Sequence, residues 1–134
     1  MASPRYVTVT TTVGGKTRAD SLAKAIVAAR LAACVQRLPI RSVYWWRGRM
    51  ESSAEHLLTA KTRAGLAARL VRFIRAQHPY ELPEIVVTPI SGGLPGYLAW
   101  IAAETRAARP RPSGLTFAPS GTRNIRPRKG RIAK

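Results

Sequence analysis

The run Tyr6-Val7-Thr8-Val9-Thr10-Thr11-Thr12-Val13 alternates β-branched positions and closes on Gly14-Gly15, which predicts a first strand. Thr17 and Asp20 then fit a capping box. Leu22, Ala25, Ile26, Ala29 and Ala33 recur at helical spacing with Lys24 and Arg30 off that stripe, so a helix is expected to about Ala32. Cys34-Val35-Gln36-Arg37-Leu38 resumes an extended pattern. Pro39 interrupts its ladder as an edge strand or bulge would, and residues 40–46 continue a bent second strand. Arg47-Gly48 supplies a turn, and residues 50–62, with Leu57 and Leu58 in the middle, return antiparallel as the other half of a hairpin. Leu66, Leu70, Phe73 and Ile74 mark the apolar stripe of a second helix whose solvated side carries Arg69, Arg72 and Arg75. His78-Pro79 ends it. Glu84-Ile85-Val86-Val87-Thr88-Pro89-Ile90 reads as a short strand. After the breaker Ser91-Gly92-Gly93-Leu94-Pro95-Gly96 comes a last helix bearing Tyr97, Leu98 and Ile101.

The order β-α-β-β-α-β-α predicts an α+β fold, a ferredoxin-like split β-α-β sandwich with an extra C-terminal helix. Two helices cover one face of a four-stranded antiparallel sheet and leave the other face bare. Val7, Val9, Tyr44, Trp45, Trp46, Leu57 and Leu58 supply more apolar surface than two short helices can cover, which predicts self-association.

Charge divides the chain. The sequence carries 23 Lys and Arg against 6 Asp and Glu, a formal charge of +17 over 134 residues. Eight of those bases, four prolines and no acid fall in 107–134. That segment has few large apolar groups and no periodicity, so it is expected to be a disordered basic tail following one folded domain, residues 1–106. Arg123, Arg126, Arg128, Lys129 and Arg131 are its candidate contacts to nucleic acid or another polyanion. Cys34 is the single cysteine, so no intrachain disulfide forms and no oxidising compartment is required. No apolar run reaches the ~20 residues of a membrane span, and the N-terminus lacks the pattern of a signal peptide. A cytoplasmic protein without membrane contact is expected.

Catalytic motifs fail one by one. Cys34 opens an apolar strand as a small buried hydrophobe, and neither His56, mid-strand and structural, nor His78 stands in a motif that would activate a thiol. Gly15-Lys16-Thr17 imitates the end of a phosphate-binding loop, but the glycine that motif needs at position 10 is Thr10, which leaves only weak anion binding. An RNA-recognition sheet would need a basic-Gly-aromatic run on the third strand, where Met50-Glu51-Ser52-Ser53 stands. No catalytic residue is assigned, and the protein is read as non-enzymatic with no required cofactor.

Five motifs fall in order at compatible spacings: Ala33-Cys34-Val35; Tyr44-Trp45-Trp46-Arg47-Gly48; Lys61-Thr62-Arg63; His78-Pro79-Tyr80-Glu81-Leu82-Pro83-Glu84-Ile85; and Tyr97-Leu98-Ala99-Trp100-Ile101. Over roughly residues 5–106 the chain resembles the CutA family of divalent-cation tolerance proteins. The resemblance implies a ferredoxin-like fold, a tight homotrimer similar to the nitrogen-regulatory trimeric signalling proteins, and a role in tolerance of or response to copper and other divalent cations. Members with a proposed copper site use a cysteine near the end of strand one and two adjacent histidines before the Pro-Tyr pair. The matching positions are Thr10, Gln77 and His78, so His78 is the one candidate metal ligand. Its alternative role is that of a helix terminator. Trp45, Trp46, Lys61, Tyr80, Glu81 and Glu84 concentrate in the family motifs, either as the lining of an intersubunit cleft for a small polar ligand or as a subunit interface.

Overall fold

The structure, a computed structural model, describes residues 5–106. The tail expected at 107–134, with its candidate contacts Arg123, Arg126, Arg128, Lys129 and Arg131, lies outside the described residues. Strand β1 (Tyr6–Val13) leads into helix α1 (Lys16–Ala28), then strands β2 (Cys34–Trp46) and β3 (Arg49–Arg63). A single 3-10 turn (Ala64–Leu66) opens helix α2 (Ala67–Gln77), and strand β4 (Ile85–Ile90) and helix α3 (Pro95–Thr105) follow. The strands form one antiparallel sheet in the order β2-β3-β1-β4. This is the ferredoxin-like arrangement.

Alternation along the strands decides which face is buried. Val7, Val9 and Val13 of β1 and Leu58 and Ala60 of β3 point to the face covered by α1 and α2. There they meet Ala19, Leu22 and Ile26 of α1 and Leu66, Leu70 and Ile74 at and beyond the 3-10 turn, all at most 5 % exposed. Each buried Leu or Ile contributes about 1.5–3 kcal/mol of hydrophobic free energy, so this layer is the main source of stability. Val7, Val9 and Leu58 therefore belong to the core and not to an uncovered surplus, which corrects the expected apolar excess of the bare face.

The second face is not bare either. Lys61 and Arg63 alternate with buried Ala60 and Thr62 and so lie opposite the core. Arg63 Nε donates to Thr105 Oγ1 at 2.9 Å and its Nη2 to the Thr105 carbonyl at 2.9 Å. Helix α3 is thereby held across this face at the Tyr6 end of the sheet, with Ile101 and Thr105 fully buried.

Two local predictions fail for identifiable reasons. The residue before α1 is Gly15 at φ 92, with no side-chain cap, and Asp20 pairs instead with Lys16 (3.4 Å) and Arg37 (2.7 Å). The helix ends at Ala28 because Arg30 adopts φ 60, which lets its N–H reach the Val27 carbonyl and the Leu31 N–H the Ile26 carbonyl. That bond pattern reverses the chain and drives Leu31 and Ala32 into the core. Left-handed backbone is costly for arginine, and its guanidinium is anchored on the Glu104 carboxylate (2.7 Å) and carbonyl (3.1 Å).

The hairpin is much longer than its neighbours. β1 pairs with β3 only as far as Val13 opposite His56, whereas β2 and β3 stay paired from Cys34 opposite Lys61 to Trp46 opposite Arg49. Pro39 does not interrupt this ladder, because β2 is an edge strand and its free side needs no donor. Beyond Ile40 and Glu55 the hairpin is a two-stranded ribbon of about 20 Å, at ~3.4 Å per residue.

Candidate functional site

The loop between α2 and β4 closes over the end of β1. His78 is buried, its Nε2–H donates to the Thr12 carbonyl at 2.8 Å, and its Nδ1 accepts the Tyr80 N–H at 3.2 Å. The two rings meet edge to face at 4.7 Å. Burial pushes the imidazole pKa down to about 4, against the opposing pull of the Thr12 bond and the Glu55 charge and with help from Arg18 and Arg75. His78 is thus a neutral ring with both nitrogens engaged.

Below it sits a buried carboxylate that sequence reading missed. Glu55 is 2 % exposed. One of its oxygens accepts the Ser42 hydroxyl at 2.7 Å and the other the Tyr80 hydroxyl at 2.8 Å. The available signal was parity: Glu55 lies two residues before Leu57 on the same face, where an unpaired carboxylate would be costly. On the opposite face His56 accepts from Arg37, whose guanidinium also holds Asp20. This fits the structural role expected for His56. Arg37 and Lys16 hold the Asp20 carboxyl below its usual range, although burial pushes the other way.

At the ribbon tip, Arg47 (φ 52) and Gly48 (φ 78) make the two-residue turn, for which positive φ at both positions matches the twist of the strands. The Arg47 guanidinium lies 5.0 Å from the centre of the Trp46 ring and 3.3 Å from Glu81 Oε1. Both partners of that ion pair are largely exposed, so it contributes little by itself. Trp45 points the other way and is 72 % exposed.

Lys61 is elsewhere. It donates to Gln36 at the base of the hairpin, where Cys34 is half-buried beside Tyr97. Burial, and then the charge and hydrogen bond of Cys34, push the Tyr97 phenol up. Tyr97 in turn lies against Trp100, with ring centres 5.4 Å apart. The Cys34–Lys61 and Trp46–Arg49 pairs stand at opposite ends of β2, about 40 Å apart along the strand. One chain therefore brings Trp46, Tyr80 and Glu81 to one end of the molecule, and Glu84 just before β4, but does not gather them with Lys61 in one cleft.

The donors matched around His78 do not fit a resident copper ion. Among the described residues no group of three or more His, Cys, Asp or Glu is placed to hold a metal ion. Thr10 and Gln77 are poor ligands for copper. The expected ligand His78 has one nitrogen accepting a hydrogen bond and the other donating one, so no lone pair faces outward.

Comparison with known proteins agrees with the motifs. The family described as CutA1 divalent ion tolerance protein matches residues 7–104. The rice protein named CutA 1, chloroplastic, is 44 % identical over 102 residues, 75 % of this chain and 55 % of that one. The divalent-cation tolerance protein CutA of Pectobacterium atrosepticum is 40 % identical over 89 residues, 66 % of this chain and 81 % of its own length. This chain spans about half the length of the plant and mammalian relatives it matches. The crystal structure of CutA1 from Oryza sativa superposes with a TM-score of 0.74 at 40 % identity, covering 78 % of this chain and 97 % of that one. The matched segment includes the hairpin, the His78–Tyr80 loop and α3, and on these grounds the chain belongs to the CutA1 divalent ion tolerance family.

Proposed function

We propose that the protein acts in divalent-cation tolerance as a homotrimer without catalysis and without a resident metal at His78. One observation carries the assembly: the ribbon beyond Ile40 and Glu55 has no third strand, yet it exposes Val43 (65 %), Trp45 (72 %) and Met50 (64 %). An isolated two-stranded ribbon is marginally stable in water, and apolar groups clustered on one call for a partner surface. At the other end of the molecule Tyr97 is exposed beside Cys34, which pairs with Lys61, Trp100 is exposed next to Tyr97, and Leu94 is exposed at the start of α3. A head-to-tail ring would set the tip of one chain against the base of the next and would close by rotation. It would also bring Trp45, Trp46 and Glu81 of one chain toward Lys61 of its neighbour, forming an intersubunit cleft suited to a small polar ligand.

Light scattering on the full chain tests this. Three chain masses are expected at micromolar concentration, and Trp45→Glu should reduce that to one. A monomeric parent protein would overturn the reading. The working compartment is the cytoplasm, consistent with a lone cysteine, and among the described residues no helix is long and apolar enough to cross a membrane. A second reading, polyanion binding through 107–134, is supported by the eight bases and absent acids of that segment.

A further inference from the structure

Among the described residues, the outer surface of the helix layer carries no exposed aromatic group. α2 carries Arg69, Arg72 and Arg75 and no acid, and α1 adds Arg18 and Lys24. The sole acid of the two helices, Asp20, is already held by Lys16 and Arg37. Among the described residues, Arg18, Lys24, Arg69, Arg72 and Arg75 form no ion pair with any carboxylate. Helices α1 and α2 run antiparallel side by side, so the N-terminal Arg18 of one lies toward the C-terminal Arg75 of the other. Both are close enough to act on the buried His78.

Like charges at i, i+3 spacing destabilise a helix, and the Arg69-Arg72-Arg75 series contains two such pairs. A polyanion laid across the crest would relieve that repulsion. The three arginines span about 9 Å along the helix axis, a spacing that can engage successive backbone phosphates. A lipid surface fits less well, since the one aromatic group of the layer, Phe73, packs partly buried against the core and its single exposed large apolar residue is Val27 (40 %). The apolar groups that need covering lie on the ribbon, β4 and α3, so self-association through them leaves this layer facing solvent.

We propose that the α1–α2 layer is a docking surface for duplex nucleic acid, gripped through its phosphate backbone without base readout. This surface is built from other residues than the basic segment 107–134 and the proposed subunit contacts. The test uses the full chain and a short labelled DNA duplex, with affinity followed by fluorescence anisotropy across a salt series. Lys24→Gln/Arg72→Gln/Arg75→Gln alters only exposed side chains, so the fold, checked by circular dichroism, should be kept. Each lost phosphate contact lowers the log-log salt slope by about 0.9, so a reduction of about 2–3 is expected, and the matching Arg72→Lys/Arg75→Lys variant should keep the parent slope. A second variant, Arg126→Gln/Arg128→Gln/Lys129→Gln/Arg131→Gln, separates the two basic regions. Loss of binding in that variant alone, with the helix variant unchanged, would overturn the proposal. So would absence of duplex binding at low salt, or tighter binding to phosphatidylserine vesicles than to the duplex.

Discussion

His78 is bonded through its Nε2–H to the carbonyl of Thr12, so the residue that ends α2 also ties the last turn of the chain before β4 to the end of β1. The bond needs the neutral ring with the proton on Nε2, because Nδ1 is occupied as the acceptor of the Tyr80 N–H. Protonation would put a second N–H on the ring, at the Nδ1 that faces the Tyr80 N–H donor, in a buried place with Arg18 and Arg75 nearby.

That arrangement makes stability pH-dependent. The folded pKa of His78 is depressed to about 4 from 6.5, so the unfolded chain binds the proton more readily. The stabilisation is complete above about pH 6.5, declines as pH falls toward 4, and is gone below it. The difference is worth on the order of 3 kcal/mol. Urea unfolding at several pH values should show this decline in the parent and a much flatter profile in His78→Gln between the same limits. An equal slope in both proteins would assign the dependence to other groups.

Tyr80 is bound to the same device from the other side. Its hydroxyl donates to buried Glu55 at 2.8 Å, while its N–H holds His78. Tyr80→Phe removes one charge-assisted hydrogen bond and keeps the ring packing, so a loss of about 1.5–3 kcal/mol is expected. Ser42→Ala should cost less, because Ser42 is only half-buried. A double-mutant cycle should return a non-zero coupling, since both hydroxyls serve one carboxylate.

Much of this fold was legible because its periods are clean. Val7, Val9 and Val13 alternate, Leu66, Leu70 and Ile74 recur at helical spacing, and Arg47-Gly48 is a turn that only one kind of hairpin accepts. The failures share a cause: a tertiary partner outbid a local one. Asp20 looked like half of a capping box but is held by Arg37 from β2, and Arg30 leaves the helix to reach Glu104 of α3. The candidate site was less legible. Sequence spacing groups Lys61 with Trp46 in adjacent motifs, yet the pairing register sends them to opposite ends of the hairpin. Glu55 went unseen because burial of a carboxylate depends on Tyr80 and Ser42, which only the folded chain brings to it.

The core also contains a correctable defect. Thr62 is fully buried on the helix-covered face, and its Oγ1 has no hydrogen-bond partner among the described residues. It stands opposite Val7, among aliphatic neighbours. Thr62→Val keeps shape and strand propensity while removing the desolvated hydroxyl, so stability should rise by about 1 kcal/mol. Thermal unfolding would register this as an increase in Tm; a decrease would mean that the hydroxyl has a bound water to satisfy it.

Copper affords a sharper test of what the family resemblance means here. A ligating imidazole must offer a lone pair, and the Nδ1 lone pair of His78 is used by Tyr80 while Nε2 carries the proton given to Thr12. To ligate, the ring would have to leave its pocket, breaking both bonds and exposing the Tyr80–Glu55 contact beneath it. Thr10 and Gln77 supply neither the thiolate nor the second imidazole that would offset that disruption. Isothermal titration of the full chain with Cu²⁺ at neutral pH should therefore give the same weak affinity for the parent and for His78→Ala, even though the variant is less stable. If the parent binds at least tenfold more tightly, the ring does swing out. Copper held by the folded chain should then raise the Tm of the parent, whereas a fall would mean that the metal binds the unfolded chain more tightly.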